Sequence, residues 1–344
     1  MPLETLWWVV LATVLTALAF DVINGFHDAA NSIATIVSTR VLSPRFAVLW
    51  AAFFNFAAMF IFAPKVADTI SKIVIIEQGK PAFVFVVLSG LLGAIVWDLL
   101  TWWWGLPTSS SHALIGGLAG SGVAYGGWGV IHWDKLGSAM LFIPIAPLIG
   151  FVVAFAFMVA VIWIVHKQRP QAVDRFFRKG QLVSAALYSL GHGGNDAQKT
   201  MGIIVALFVA TGAFTAHTSL SLGSSQTAWI VLSCNAAMAI GTALGGWRIV
   251  KTMGMKMTKL KPIGGFCAET AGAFTLFLAT VTGIPVSTTH TIAGAIVGVG
   301  ATTKLSGIKW GVAMRIVWSW ILTIPFSAVV GAACFLFFKL LVRF

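Results

Sequence analysis

Apolar runs long enough to cross a lipid bilayer follow one another along the whole chain, and they restrict its fold more than any other feature. The run from Ala139 to His166, "AMLFIPIAPLIGFVVAFAFMVAVIWIVH", holds no Asp, Glu, Lys or Arg. A crossing takes about 20 such residues. In hydrocarbon every backbone N–H and C=O must be paired inside the protein, and for runs of this kind the helix does that. With 58% hydrophobic and 9% charged residues, against about a quarter charged in soluble domains, no stretch is hydrophilic enough for a soluble domain. The chain reads as an all-α integral membrane protein. Its net charge of +12 does not point to nucleic acid, because most of the 22 Lys and Arg lie in short connections between apolar runs, as the positive-inside bias predicts. The N-terminal "MPLETLWWVVLATVLTALAF" has Glu4 and no basic residue ahead of its apolar part, so it reads as a retained segment rather than a cleaved signal. Cys234, Cys267 and Cys334 lie in apolar runs without metal-ligand spacing and read as packing residues.

Two stretches recur. "GLPTSSSHALIGGLAG" (105–120) and "GIPVSTTHTIAGAIVG" (283–298) match at an offset of 178, His112 to His290. "NGFHDAANSIAT" (24–35) and "HGGNDAQKTMGI" (192–203) match at an offset of 168, Asp28 to Asp196. Two matched pairs in the same order mean an internal duplication. Five crossings are expected in the first half: Leu3 to Thr39, Phe46 to Pro64, Ala82 to Trp104, Thr108 to Tyr125 and Ala139 to His166. An odd count makes the second copy enter from the opposite side, so the halves are expected to be inverted-topology repeats: 1–165, a basic cytoplasmic connecting loop over 166–181, and 182–344.

Loop charges agree with inversion. "STRVLSPR" carries Arg40 and Arg45, whereas its mate over 210–227 carries neither Lys nor Arg. Lys65, Lys72 and Lys80 are diluted by Asp68 and Glu77, while their mate holds Arg248, Lys251, Lys256, Lys259 and Lys261 with no acid. Lys135 is balanced by Asp134, and Lys304 and Lys309 are unopposed. A basic central connection is cytoplasmic, which puts both termini outside, although Lys339 and Arg343 run against that bias.

Of the ten acidic residues, Asp21, Asp28, Asp98, Asp196 and Glu269 fall inside apolar segments, where a carboxylate costs at least about 2.5 kcal/mol. Asp21 and Asp98 suit a headgroup position as well as a functional one. Asp28 and Asp196 sit in polar clusters, with Asn24, His27 and Asn31 beside the first and His192, Asn195 and Lys199 beside the second. Gly25, and Gly191, Gly193 and Gly194, mark expected helix breaks, and broken helices are where secondary transporters bind substrate and ions. Lys199, one turn after Asp196, reads equally as that aspartate's ion-pair partner and as part of the coupling. Glu269 has no acidic mate in the first half.

Pro followed by hydroxyl residues and an apolar run is how a helix begins. On inverted halves, two such starts meet near the midplane. Their N–H groups, dipole ends of about +0.5 charge each, and the hydroxyls of Thr108, Ser109, Ser110, Ser111, Ser287, Thr288 and Thr289 then converge on a compact oxyanion. No arginine lies near either motif, so cations held by Asp28 and Asp196 are expected to offset the anion, which makes a symporter. Protonated phosphate suits nearby carboxylates better than sulfate does. His112 and His290 read as residues that position the turns. Gly116, Gly120, Gly294 and Gly298 read as close packing inside each hairpin.

These paired motifs resemble the duplicated signatures of the inorganic phosphate transporter (PiT) family, of the bacterial low-affinity symporter type. The resemblance implies inverted repeats with two hairpins, phosphate import coupled to H+ or Na+, carriage of phosphate as a neutral complex with Mg2+ or another divalent cation, an inner-membrane location and a homodimer. It assigns cation binding and gating to Asp28, Asn31, Asn195 and Asp196, and phosphate binding to Ser109–Ser111 and Ser287–Thr289. With Asn24 and Lys199 these form the candidate coupling set, and His27, His112, His192, His290 and Glu269 are candidate accessory residues. No fixed metal or cofactor is expected. The first signature departs from the Gly-Ala-Asn-Asp of sodium-coupled relatives by reading Gly-Phe-His-Asp, and the second continues into Gln198 and Lys199, an ammonium able to replace one cation. The rivals are a sulfate symporter, a passive anion channel and a membrane-embedded phosphatase, the last lacking a metal-ligand cluster and a soluble lobe.

Overall fold

The computed structural model describes residues 3–70, 73–74, 82–215, 218–284, 286–303 and 305–342. Lys72, Glu77, Lys80, Lys304 and Arg343, part of the connection 210–227, and Pro285 of the second hydroxyl motif lie outside the described residues. The elements in order are α1 (Leu3–Ser38), α2 (Pro44–Ala57), α3 (Lys65–Ile70), α4 (Ala82–Trp104), α5 (Ser110–Gly126), α6 (Trp133–Val165), α7 (Pro170–Ala210), α8 (Ala228–Leu244), α9 (Trp247–Lys251), α10 (Pro262–Thr282), α11 (Thr288–Thr303) and α12 (Trp310–Val342). Pro opens α2, α7 and α10, where its missing N–H goes unused.

Five helices are long and apolar enough to cross a membrane, namely α1, α4, α6, α10 and α12, or six if the bent pair α8–α9 counts as a single span. This is fewer than five per half. α5 and α11 have 17 and 16 residues, roughly 25 Å at 1.5 Å per residue, short of the hydrocarbon thickness. Each forms the returning arm of a hairpin, with α4 and α10 respectively. The central connection is also less of a loop than expected. From Pro170 it is the start of α7, with Arg178 paired to Asp174 one turn away (2.9 Å) and bonded to the Arg40 carbonyl (3.0 Å).

The breaks expected at Gly25 and at Gly191–Gly194 are absent: α1 and α7 run through them without interruption. These glycines serve close approach instead. A Cβ on Gly25 would lie 2.4 Å from the Met238 carbonyl of α8, and on Gly193 2.3 Å from that of Asn55 in α2. The helix that does break is α8–α9, bent by 58° at Gly245–Gly246. Packing inside each hairpin is likewise not what Gly116, Gly120, Gly294 and Gly298 provide. Gly116 and Gly120 face Ile324 and Ala328 of α12, and Gly294 and Gly298 face Pro147 and Phe151 of α6, so each hairpin is clasped by the last long helix of the other half.

Two apolar clusters form the core. One gathers Val10–Phe20 of α1 with α4, α5 and the end of α7, and the other gathers Ala30–Ile36 of α1 with α6, α10, α11 and the first half of α7. α1 therefore passes from the first cluster to the second, and α7 from the second to the first. Between the clusters both helices carry their polar signatures. Trp163, Val329 and Leu340 are exposed, among many large apolar side chains on the outside, which is the surface that lipid covers.

Candidate functional site

Each hydroxyl tip lies between a helix that stops and a helix that starts. Gly105 ends α4 and Gly283 ends α10, both in the left-handed region at φ 66° and 75°. Each closes with the same long-reach bond, Leu106 N to Thr101 O and Ile284 N to Ala279 O, both 2.9 Å. This is the closure for which glycine is selected after a helix. The chain then reverses into α5 and α11. Ser109 Oγ accepts the backbone N–H of His112 (3.3 Å), and Ser287 Oγ that of His290 (3.2 Å), so these two hydroxyls act as helix caps.

Several of the other tip residues bond to the two signatures. Asn31 Nδ2 donates to Thr288 Oγ1 (3.3 Å) and Thr289 Oγ1 (2.9 Å). Thr289 donates to Asp28 Oδ1 (3.4 Å) and Thr288 to Asp196 Oδ2 (3.1 Å). Lys199 Nζ donates to Asp196 Oδ1 and to Ser111 Oγ of the first tip. The first half's signature thus holds the second tip, while the second half's signature holds the first tip through Lys199 and the second through Asp196. Thr108 turns aside, donating to Thr101 Oγ1 (2.9 Å) and lying 3.4 Å from His27 Nε2. Ser110 Oγ has no partner among the described residues.

The site is buried: Asp28 is 2% exposed, and Asp196 and Lys199 are each 1% exposed. His27 Nδ1 lies 2.9 Å from Asp28 Oδ1. His192 Nε2 lies 3.4 Å from Asp196 Oδ2, with its Nδ1 3.2 Å from Asn55 Oδ1. Asp28, His192 and Asp196 each offer a ligand atom, all within 4.8 Å of one another, an arrangement able to hold a metal ion. Around them, Asn24 Oδ1, Asn31 Oδ1 and Asn195 Oδ1 are buried without a partner among the described residues. The Asn195 amide donates weakly to Thr280 (3.5 Å).

His112 and His290 face each other behind the tips, ring centroids 5.0 Å apart. His290 stacks on Trp320 at 4.0 Å and lies 3.3 Å from the Ile143 carbonyl, while Trp320 donates to the Pro107 carbonyl (2.9 Å). The paired rings thus link α5 and α11 to α6 and α12. Glu269 lies apart from the tips. It accepts from Thr35 (2.6 Å), Gln181 (2.9 Å) and Ser184 (2.5 Å), tying α1, α7 and α10 together. Asp21 and Asp98 are fully buried within the protein. Asp21 accepts from Thr200 (2.5 Å), and both Asp98 oxygens lack a partner among the described residues.

Four contributors escaped the sequence reading: Thr101 beneath His27, Asn55 beside His192, Ser32 at 3.5 Å from the same ring, and Tyr188, whose hydroxyl donates to the Thr288 carbonyl (3.0 Å). The available signal was a lone polar residue in an apolar run, as for Asn55 in "WAAFFNFAAMF", and the scarcity of Tyr, of which the chain has 2. A cavity of about 340 Å³, lined by Phe62, Gly193, Gly194, Gln198, Met201 and Asn235 among others, reaches the signature around Asp196.

A multi-pass helical bundle with buried carboxylates and hydroxyl tips at its centre defines a membrane transporter. The model of the phosphate transporter family matches residues 24–331. The chain is 53% identical over 326 residues to a "Probable low-affinity inorganic phosphate transporter" of Rhizobium meliloti (strain 1021), covering 94% of each chain, and 41% identical to a protein of the same name from Bacillus subtilis (strain 168), covering 94% of this chain and 95% of that one. A solved structure titled "The sodium-dependent phosphate transporter" superposes with a TM-score of 0.84 at 24% identity, over 97% of this chain and 100% of that one. The chain belongs to the phosphate transporter family, whose work is transport and not catalysis.

Proposed function

We propose that this protein is a symporter that imports inorganic phosphate across the inner membrane together with H+ or Na+. The observation that carries the reading is the crossing of the halves: Asn31 and Asp28 engage Thr288 and Thr289, while Lys199 engages Ser111. Because the tips that would receive an anion are bonded to the groups that would receive cations, one guest cannot bind without changing the free energy of the other. Unpartnered buried acceptors cost about 1–3 kcal/mol each, and the amide oxygens of Asn24, Asn31 and Asn195 are such acceptors. A cation beside Asp28 and Asp196 would satisfy them. Ser110, Ser111, Thr288 and Thr289, with the free N–H groups of α5 and α11, would hold the phosphate, and Ser109 and Ser287 would shape those helix starts. The nitrogen and two carboxylates of His192, Asp28 and Asp196 suit a divalent ion as well as Na+, which supports carriage of a neutral metal-phosphate complex in which the divalent ion takes the place of H+ or Na+ at that one site.

The opposite passage of α1 and α7 between the two apolar clusters, and the exchange of α6 and α12 as clasping helices, support inverted repeats over 1–165 and 182–344, and the basic connection between them supports both termini outside. The homodimer implied by the resemblance is read by the mass of the detergent complex. Phosphate uptake into proteoliposomes under imposed pH or Na+ gradients, with and without Mg2+, tests the reading. Accumulation is expected to follow a cation gradient and to resist excess sulfate. Uptake indifferent to both gradients makes the protein a passive channel, and equal competition by sulfate removes the assignment of phosphate as the preferred cargo.

A further inference from the structure

Among the described residues Lys199 is the one fully buried Lys or Arg, and its surroundings are those of a bound cation. Its Nζ donates to Asp196 Oδ1, to Ser111 Oγ and, at 3.4 Å, to the Val286 carbonyl. Three N–H donors therefore meet three oxygens. Those oxygens come from α7, from the start of α5 and from the strand of chain leading into α11, so the ammonium sits where both tips and a carboxylate meet. A lysine ammonium is a compact point charge on a flexible stem, and here it is ligated as a free monovalent ion would be.

The first half has no such charge. Lys199 stands three residues after Asp196, and Asn31 stands three residues after Asp28. Asn31 makes the equivalent crossing to the opposite tip with a neutral amide. On the second half the ammonium takes Asp196 Oδ1, which leaves Oδ2, Asp28 and His192 as the group able to ligate a mobile ion. The duplicated site keeps one cation place for a mobile ion and fills the other from its own chain.

We infer that Lys199 is a tethered cation, so that each phosphate moves with one mobile cation where a site bearing amides at both positions would require two. The inference rests on the symport reading and fixes its stoichiometry. Removing the ammonium leaves a buried carboxylate without its counter-charge, and a mobile ion must then take its place before an anion can bind.

The test is equilibrium binding of labelled inorganic phosphate to the purified full chain, with Na+, Mg2+ and H+ varied in turn at constant ionic strength and with phosphate's own titration subtracted. The log–log slopes of affinity against cation, summed over the three ions, count the mobile cations bound per phosphate. A sum of about one is expected for the native chain and for Lys199→Arg, rising to about two for Lys199→Asn. A native sum of two, which requires no variant, overturns the inference. So does an unchanged sum in Lys199→Asn, or loss of phosphate binding at every cation concentration in a folded Lys199→Asn while Lys199→Arg still binds. A native sum of zero rejects the symport reading itself, which separates the two failures.

Discussion

At the residue scale, the two signature aspartates have the same chemistry but different bonds, and substitutions will separate them. Asp196 pairs with Lys199 in a buried setting, and stranding a buried charge costs about 3–5 kcal/mol. Asp28 is met by His27 and Thr289, and an asparagine carbonyl accepts from those donors at a cost of about 1 kcal/mol. Asp28→Asn and Asp196→Asn are both expected to lower phosphate uptake by at least about tenfold, and thermal unfolding in detergent will show a large loss of stability for Asp196→Asn alone. Glu269 makes a third case. Glu269→Gln places an amide N–H among the donors of Thr35, Gln181 and Ser184, which costs about 1–3 kcal/mol and reads as a lower melting temperature. Sequence marked these carboxylates as anomalous because charge inside an apolar run is a local fact. It did not place Asp21 and Asp98 in the interior, since depth along a long helix depends on how neighbouring helices pack around it.

At the level of elements, the hairpins are held by contacts too close for a side chain. A Cβ on Gly120 would lie 2.0 Å from the Ala328 carbonyl, and on Gly294 2.0 Å from that of Pro147. Gly120→Ala and Gly294→Ala must push α5 from α12 or α11 from α6, and overpacking of this kind costs about 1–3 kcal/mol. Gly129→Ala meets nothing within 4 Å and is the matched control, expected to melt with the native chain. The hairpins themselves were legible in "GLPTSSSH" and "GIPVSTTH", because a glycine stop and a hydroxyl start are decided within one helical turn. The role of Gly25 and Gly193 was not. Glycine is read as a breaker from its intrinsic cost of about 1 kcal/mol in a helix, and contact with α8 and α2 outweighs that cost.

For the whole molecule, the cavity beside Gly193 and Gly194 lies on the side of the 218–227 connection, with Ser221 in its wall, whereas the Glu269 knot closes α1, α7 and α10 on the other side of the tips. If both termini are outside, Ser221 faces the exterior and Gln168 the cytoplasm. A single cysteine at Ser221 should react with a membrane-impermeant thiol reagent applied to intact cells, and one at Gln168 only after the inner face is opened. Cys234 and Cys267 are buried and need no replacement, while the partly exposed Cys334 does. The reverse labelling pattern would invert the assigned topology and leave the site geometry as it stands.

The sequence by itself determined that this chain lives in a membrane, is helical, is duplicated, and concentrates carboxylates, amides and hydroxyls in two pairs of motifs. Each of those follows from short-range physics: hydropathy over one crossing, capping over one turn, and the cost of a lone charge in hydrocarbon. Only the tertiary structure decided which tip meets which aspartate, that Lys199 bonds the first tip as well as Asp196, and that α6 and α12 clasp the opposite hairpins. The bond from Asn31 to Thr288 joins residues 257 positions apart. Such pairings are set by how whole helices pack, and local pattern carries no record of that.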